Sequence, residues 1–482
     1  MQKRIDRARL ISVGCVLFSL GLVFSDIYKL CLYYLGLAVT ECGAYDIIYP
    51  AGCALYALAC GILFLLIIKE VRPAWHRACL PAVAILCFLI LFAAGYLGGG
   101  AGEYRAYNIA LFILRCAPAF MGGAGAALIC GHAAESFTEI GERLAILALP
   151  AGVIYFTMAI FGCNPYTDGT YLGTINYMTF AYTLMPLLCC ILLRLYEDAP
   201  LTVRTIAGEY TVRHPRIART AVIVVFWVDI IASGTRGCYL AVIVFCVAAF
   251  LWRLISRRRA ILGFAVSALM AAVFIINVFV WAPPGMQAAH RLNIFLDHMA
   301  DGEFSTTDSE DPELSDMIDD AFEDALRGEV SGEIEIELDA GDRISDRGSI
   351  YKLAIAEFLH SPLTGMGQGE FQEKYGIYPH NIFLEMLCET GICGTLPLLL
   401  LLLLAVAGIL RAAKTSRGGA EVALIFIAYL VRENISNSMW QSVPLLAALG
   451  WGLTLLTARR GDMAATSVPS KSEPPRGEEA AG

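Results

Sequence analysis

Pro379–Leu410 reads PHNIFLEMLCETGICGTLPLLLLLLLAVAGIL. Its second half, Leu398 to Leu410, is an unbroken apolar run, and its first half sets a His-Asn pair, two carboxylates and two glycines at the edge of that run. A run of this kind belongs in hydrocarbon, so the stretch decides the fold class: a helix that crosses a membrane, entered through a polar segment. Asn381 is predicted to cap a short helix and Gly391 to end it, with Glu385 and Glu389 four residues apart on one face. His380 then stands at the mouth of that helix. There the positive end of the helix dipole disfavours imidazolium, so a neutral ring able to accept a proton is expected. A plainer reading stands beside it, in which the pair only caps a helix at the interface.

Outward from this stretch the whole chain repeats the apolar theme. Its 482 residues are 57% hydrophobic and 16% charged, with a mean hydropathy of +0.63, too apolar for a soluble globular protein. The expected fold class is an all-α polytopic membrane protein of about 12 transmembrane helices, since runs near 10–29, 50–68, 78–97, 108–131, 144–162, 173–193, 217–234, 237–252, 260–281, 392–410, 420–435 and 441–457 approach the roughly 20 residues a crossing needs. Basic residues orient them. Lys3, Arg4, Arg7 and Arg9, Lys69 and Arg72, Arg204 to Arg219, Arg253 to Arg259, Arg411 to Arg417, and Arg459 with Arg460 all fall on one side if the spans alternate. By the positive-inside bias both termini are cytoplasmic, and the connection between spans nine and ten is one large external loop. The first run is too long for a cleaved signal and reads as a signal anchor. The expected division is a membrane domain over 1–281, the external loop over 282–382, an interfacial helix with the last three spans over 383–458, and a disordered cytoplasmic tail over 459–482.

Charge separates the loop from the rest. Between Asp297 and Asp342 there are 18 Asp and Glu against one basic residue, Arg327, so the chain's net −9 becomes +8 once the loop is subtracted. Within the loop, Asp311-Pro312 is predicted to start a helix whose Leu314, Met317, Ile318, Phe322 and Leu326 share a face and which ends at Gly328; Ile334 to Leu338 alternates as a short strand. No EF-hand spacing is present, and a solvated acidic surface is preferred to a calcium site. The 16 cysteines sit mostly inside spans as small hydrophobes; Cys42 and Cys163 are the candidates for an external pair. Gly98-Gly99-Gly100 and Gly365-Met366-Gly367 read as turns, the second as a place where backbone N–H groups approach a phosphate. Nothing suggests nucleic-acid binding.

Residues 346–394 carry, in order, Arg347 opening a helix, His360-Ser361-Pro362 ending one, Gly365-Met366-Gly367-Gln368-Gly369, His380-Asn381-Ile382-Phe383-Leu384, and Glu389-Thr390-Gly391-Ile392-Cys393-Gly394. In order and spacing these closely resemble the signature region of the O-antigen ligase and polymerase family of bacterial membrane glycosyltransferases. That family also carries a Ser-Arg-Gly-like motif between two spans. Here the corresponding stretch is Ser233-Gly234-Thr235-Arg236-Gly237, with Thr235 in the usual Ser position and the hydroxyl retained.

What the resemblance implies is transfer or polymerisation of a glycan from an undecaprenyl-pyrophosphate-linked donor onto an acceptor hydroxyl, at the external face of the bacterial plasma membrane. Arg236, Arg347 and Arg115 are the expected clamps for pyrophosphate, because a guanidinium binds it bidentately. His380 is the expected general base; Thr235, Asn381 and Glu389 are expected near the substrate, Glu389 to orient either the base or the acceptor. The partners implied are the lipid-linked donor, a glycan or lipid acceptor and membrane lipid, with no cofactor and no metal. Asp229, Arg432 and Glu433 are further ionisable residues within spans, functional or simply paired within the bundle. The rival function is a multi-pass transporter of a small anion or glycan, which twelve spans with buried charges would suit. Against it stand the lack of a visible internal repeat and the placing of the site-like residues at one face rather than the midplane.

Overall fold

The computed structural model describes residues 7–23, 44–71, 82–88, 103–130, 137–160, 166–167, 170–171, 175–195, 200–205, 208–255, 260–276, 312–327 and 347–457. The proposed Cys42–Cys163 pair, the Gly98 turn, the strand at Ile334–Leu338, the tail after Gly461 and most of the acidic loop lie outside these residues.

Helices dominate. The first half contributes α1 (Arg7–Val23), α2 (Ala44–Val71), α3 (Glu103–Leu111), a π-helical turn at Phe112–Cys116 leading into α4 (Ala117–Cys130), α5 (Phe137–Ile160), α6 (Tyr177–Leu195), α7 (Pro215–Ala232), α8 (Arg236–Ile255) and α9 (Ala260–Ile275). The second half adds α10 (Pro312–Arg327), α11 (Arg347–His360), α12 (Glu370–Tyr375), α13 (Ile382–Thr415), α14 (Arg417–Ser436) and α15 (Val443–Thr457). Among the described residues five stretches are long and apolar enough to cross a membrane: Pro50–Lys69, Tyr104–Leu128, Phe137–Met158, Arg236–Ile255 and Ile382–Thr415. Shorter apolar helices at Leu10–Gly21, Phe180–Leu195, Gly263–Ile275 and Val443–Thr457 stand among them. The protein is therefore a multi-pass membrane protein. Among the described residues, three two-residue strands at Tyr166–Thr167, Thr170–Tyr171 and Ile175–Asn176, and the hairpin Thr202–Thr205 with Gly208–Thr211, stand between the helices.

The bundle is built on α15, which packs against α1, α4 and α13. In lipid, helices gain nothing by hiding apolar surface from one another, so close backbone approach through small residues takes over. A methyl group at Gly123 would come within 3.1 Å of the Trp451 amide nitrogen, and one at Gly408 within 3.2 Å of that of Leu456. The outward sides of α2, α8, α9 and α13 stay apolar and exposed, as at Leu65, Ile255, Phe264 and Leu403.

One end of the bundle holds a buried charge cluster that sequence reading missed. Arg219, in the first turns of α7, sets its guanidinium on the Glu142 carboxylate of α5, Nε to Oε1 2.5 Å, and Arg194 at the end of α6 adds a contact to Oε2 at 3.2 Å. Beside them Thr138 donates to Glu421 of α14 at 3.3 Å, and Arg417 pairs with Glu421 at 3.0 Å. Arg219 counts in the sequence among the basic residues between the sixth and seventh spans; its side chain is 1% exposed. A guanidinium enters such surroundings only with a partner, and Glu142 supplies it.

Two α-helices outside the long spans frame the opposite end. α10 lies on α11 with Ile318 and Ala325 buried, whereas Met317 and Leu326 are exposed. The predicted stripe is thus rotated, the small Ala321 and Ala325 letting α11 approach. Lys352 of α11 pairs with Asp319, and Glu357 accepts from Lys374 Nζ at 2.9 Å and the Tyr375 hydroxyl at 2.6 Å, fastening α11 to α12.

Candidate functional site

The site grows from the start of α13. Asn381 adopts an extended backbone and its Oδ1 accepts from Phe383 N at 3.0 Å and Leu384 N at 3.2 Å, two of the orphan donors of the first turn. Its Nδ2 donates to the Asn434 carbonyl at 3.1 Å, which ties the head of α13 to the end of α14. Gly391 breaks the helix with φ 60° and ψ −165°, so Ile382–Thr390 and the long apolar half are two helices meeting at one residue. Sequence reading placed both signals, because a capping Asn and a left-handed glycine are local devices.

The break is closed by the glycine turn after α11. Met366 N donates to the Cys388 carbonyl at 2.8 Å and Gly367 N to that of Glu389 at 3.1 Å, while Ile392 N and Cys393 N return to the Pro362 and Leu363 carbonyls at 2.9 and 3.1 Å. These bonds satisfy the ends of both half-helices. The expectation that this turn offers its N–H groups to a phosphate is corrected: the close approach at Gly365 and Gly367 is to helix backbone. Glycine is needed at 365 because φ is +70° and a methyl group there would meet Thr390 N at 2.5 Å and Glu389 O at 2.6 Å.

Glu385 and Glu389 share one face, as their spacing requires, and that face is fully buried. Glu385 accepts from Ser438 Oγ at 2.6 Å and Met439 N at 2.6 Å; Glu389 accepts from Trp440 Nε1 at 2.8 Å and from Gly369 N–H. Both carboxylates therefore hold the α14–α15 connection against α13. Trp440 in turn packs edge-on to Phe112 of the π-helical turn, with centroids 6.5 Å apart, and its carbonyl accepts from Cys116 Sγ at 3.4 Å. Arg105 of α3 completes the frame, reaching Glu370 at 3.1 Å and the Gln368 carbonyl at 3.5 Å. Arg105 and Trp440 carry no sequence signal, since their partners lie 263 to 265 and 51 residues away.

His380 sits at the centre with a φ of +56°, and among the described residues no other non-glycine has a positive φ. Such backbone costs about 1–3 kcal/mol and persists where surrounding structure enforces it, which marks functional sites. Its ring lies 4.1 Å from that of Tyr378, and Nδ1 is enclosed without a hydrogen-bond partner. Burial first, and the Arg347 guanidinium second, pull the ring's pKa from 6.5 to about 4. A lowering of this kind favours the neutral ring, and its causes are burial and Arg347 rather than the helix dipole.

Around His380 the structure brings Arg347, at the head of α11, and Tyr378, whose hydroxyl is pushed above its usual range by burial first, then by Glu385 and Glu433 against Arg347 and Arg432. Arg432 and Glu433 form a buried pair at the end of α14. The Arg432 guanidinium lies over the Tyr182 and Tyr429 rings at 4.8 and 5.0 Å, and Glu433 also accepts from Ser442 Oγ at 2.6 Å and from Asn437. Thr235 and Arg236 stand at the α7–α8 turn. Thr235 is buried against Ser233, Oγ to Oγ1 3.0 Å, and Arg236 opens α8 two residues before Cys238, which feels the charges of Arg432 and Glu433. Arg115 belongs to the π-helical turn beside Cys116. Asp229 is fully buried in α7, and neither of its carboxylate oxygens has a hydrogen-bond partner. Among the described residues no group of three or more His, Cys, Asp or Glu is placed to hold a metal ion.

Residues 221–399 match the O-antigen ligase family, so this part of the chain carries that family's domain. The matched stretch runs from within α7 to the apolar half of α13. It includes Thr235, Arg236, Arg347, His380, Asn381 and Glu389, and leaves Arg115 and Arg432 outside. No curated protein matches the chain. With its membrane helices, this domain makes the chain a multi-pass bacterial membrane protein of the kind that builds glycans at membranes; a carrier is not favoured.

Proposed function

We propose, from the O-antigen ligase domain that this chain carries, that it transfers a glycan from an undecaprenyl-pyrophosphate-linked donor to an acceptor hydroxyl at the external face of the membrane. The observation that carries the reading is His380: a ring held on left-handed backbone and largely enclosed, beside the Arg347 guanidinium, both of which favour its neutral form. The orientation is supported by the distribution of charge. Arg194, Arg219, Arg253, Arg411 and Arg417 lie at the helix ends opposite the His380 end.

Each residue then has a task. Since Nδ1 is the enclosed nitrogen, Nε2 takes the proton of the acceptor hydroxyl as its oxygen attacks the anomeric carbon. The bond from that carbon to the pyrophosphate oxygen breaks, and the electron pair leaves with the lipid pyrophosphate. Pyrophosphate departs without a proton, so the need is for charge neutralisation. Arg347 and Arg236 supply it as bidentate clamps, with Arg115 a third cation at the same end and the Thr235 hydroxyl beside Arg236. Asn381 and Glu389 act through position: one fixes the residue after the base, the other holds Trp440 and Gly369 about the helix that carries it. No step is assigned to a metal. Lys in place of Arg236 or Arg347 keeps the charge and loses the fork, so transfer from purified lipid-linked donor is expected to fall by at least tenfold in either variant. Wild-type transfer by both would overturn the clamp.

A further inference from the structure

A general base works only if its ring is held in line with the proton it removes, and the usual holder is a hydrogen bond from a third group to the other ring nitrogen. His380 has no such bond: Nδ1 is enclosed and without a partner. The residue that meets the ring is Tyr378, centroid to centroid 4.1 Å at an interplanar angle of 54°. Pro379 lies between the two, buried, its ring fixing its own φ and holding Tyr378 to extended backbone, so the two aromatic rings are presented together by a stiff three-residue unit. Asn381, next along, is bonded on both sides, to the α13 amides and to Asn434. The backbone on either side of His380 is thereby fixed, and its ring has an aromatic wall in place of an orienting hydrogen bond.

We propose that Tyr378 is the positioning residue for His380, holding the base by ring contact and shutting water away from its inner nitrogen. This rests on the reading of His380 as the base. Tyr378 does not touch the reacting atoms. The charged groups around the pair are Arg347 from α11, Glu385 from α13, and Arg432 and Glu433 from α14. Replacing Tyr378 leaves each of these charges in the sequence, so the change expected is the one due to burial, the largest influence on the His380 ring. Without the tyrosine ring, water reaches the imidazole and its titration rises from about 4 toward 6.5. The hydroxyl is not required.

The test uses the full chain in lipid nanodiscs, with carbon-13-labelled histidine and the His380 resonance identified by its loss in His380→Ala. Its titration and the pH dependence of transfer are followed in wild type, Tyr378→Phe, Tyr378→Leu and Tyr378→Ala. The expected result is that Phe keeps the wild-type titration and rate. Leu and Ala move the titration and the acid limb of the rate upward by at least one pH unit, and lower kcat by roughly tenfold to a hundredfold with the donor KM unchanged. Leu fills the space without an aromatic ring, so it decides the matter if Ala does not fold. A wild-type titration in both Leu and Ala would overturn the proposal, as would a Phe variant that behaves like Ala. Full transfer by His380→Ala would instead remove the base reading, while the resonance still decides whether Tyr378 encloses the ring.

Discussion

Gly365→Ala tests the reading of the glycine turn as the lock of a broken helix. The substituted residue must keep φ near +70°, at about 1–2 kcal/mol for a side chain in left-handed backbone. Its Cβ would also stand 2.5 Å from Thr390 N and 2.6 Å from Glu389 O. Both are backbone atoms that no rotamer change can move aside, so overpacking adds about 1–3 kcal/mol. The junction should lose roughly 2–5 kcal/mol, which raises its opening about 30- to 5,000-fold. Gly376→Ala is the internal control: its φ is +68°, yet nothing lies within 4 Å of an added Cβ, so only the backbone cost of about 1–2 kcal/mol applies. The assay is hydrogen exchange at the Met366 and Gly367 amides, which donate into the end of the half-helix. Equal acceleration in both variants, or none in Gly365→Ala, would refute the packing argument.

Glu142→Gln leaves Arg219 and Arg194 without their shared carboxylate and should lower stability in detergent by about 3–5 kcal/mol, whereas Glu139→Gln, whose partner Arg143 is 60% exposed, should change thermal unfolding little. Trp440→Phe keeps the ring against Phe112 but removes the donor to Glu389, so a loss of about 1.5–3 kcal/mol is expected from the same unfolding measurement. A single cysteine at Asp320, in a background lacking the native ones, should react with an impermeant thiol reagent added outside cells, and one at Lys414 should not; reversed labelling would overturn the orientation.

The legible parts of this protein are those whose cause is local. Asn381 and Gly391 were readable because a cap and a left-handed glycine are set by residue type within one turn, and the helix over Pro312–Arg327 because Asp-Pro and Gly bracket it. The same logic misled where a local device serves a distant partner. The Gly365 turn reads as an anion cradle, but its Met366 and Gly367 amides are taken by carbonyls more than twenty residues along. Counting Arg219 as loop charge failed because position near a span end says nothing about Glu142, 77 residues earlier. Glu385 and Glu389 were placed on one face correctly, while their donors, Ser438, Met439 and Trp440, belong to the next helical connection, 51 to 54 residues later. Tyr378 had no periodic or motif signal; its role follows from a contact made across a proline.

The central claim is that His380 is the base. It is tested most directly by transfer from purified lipid-linked donor, measured with donor binding for wild type and His380→Ala from pH 4 to 8. A ring titrating at about 4 is unprotonated through pH 5 to 8, so wild-type turnover should be flat there and fall only as the ring gains its proton below about pH 5. His380→Ala should bind donor as before and turn over about 100- to 10,000-fold more slowly. Undiminished turnover by a folded His380→Ala protein would contradict the account.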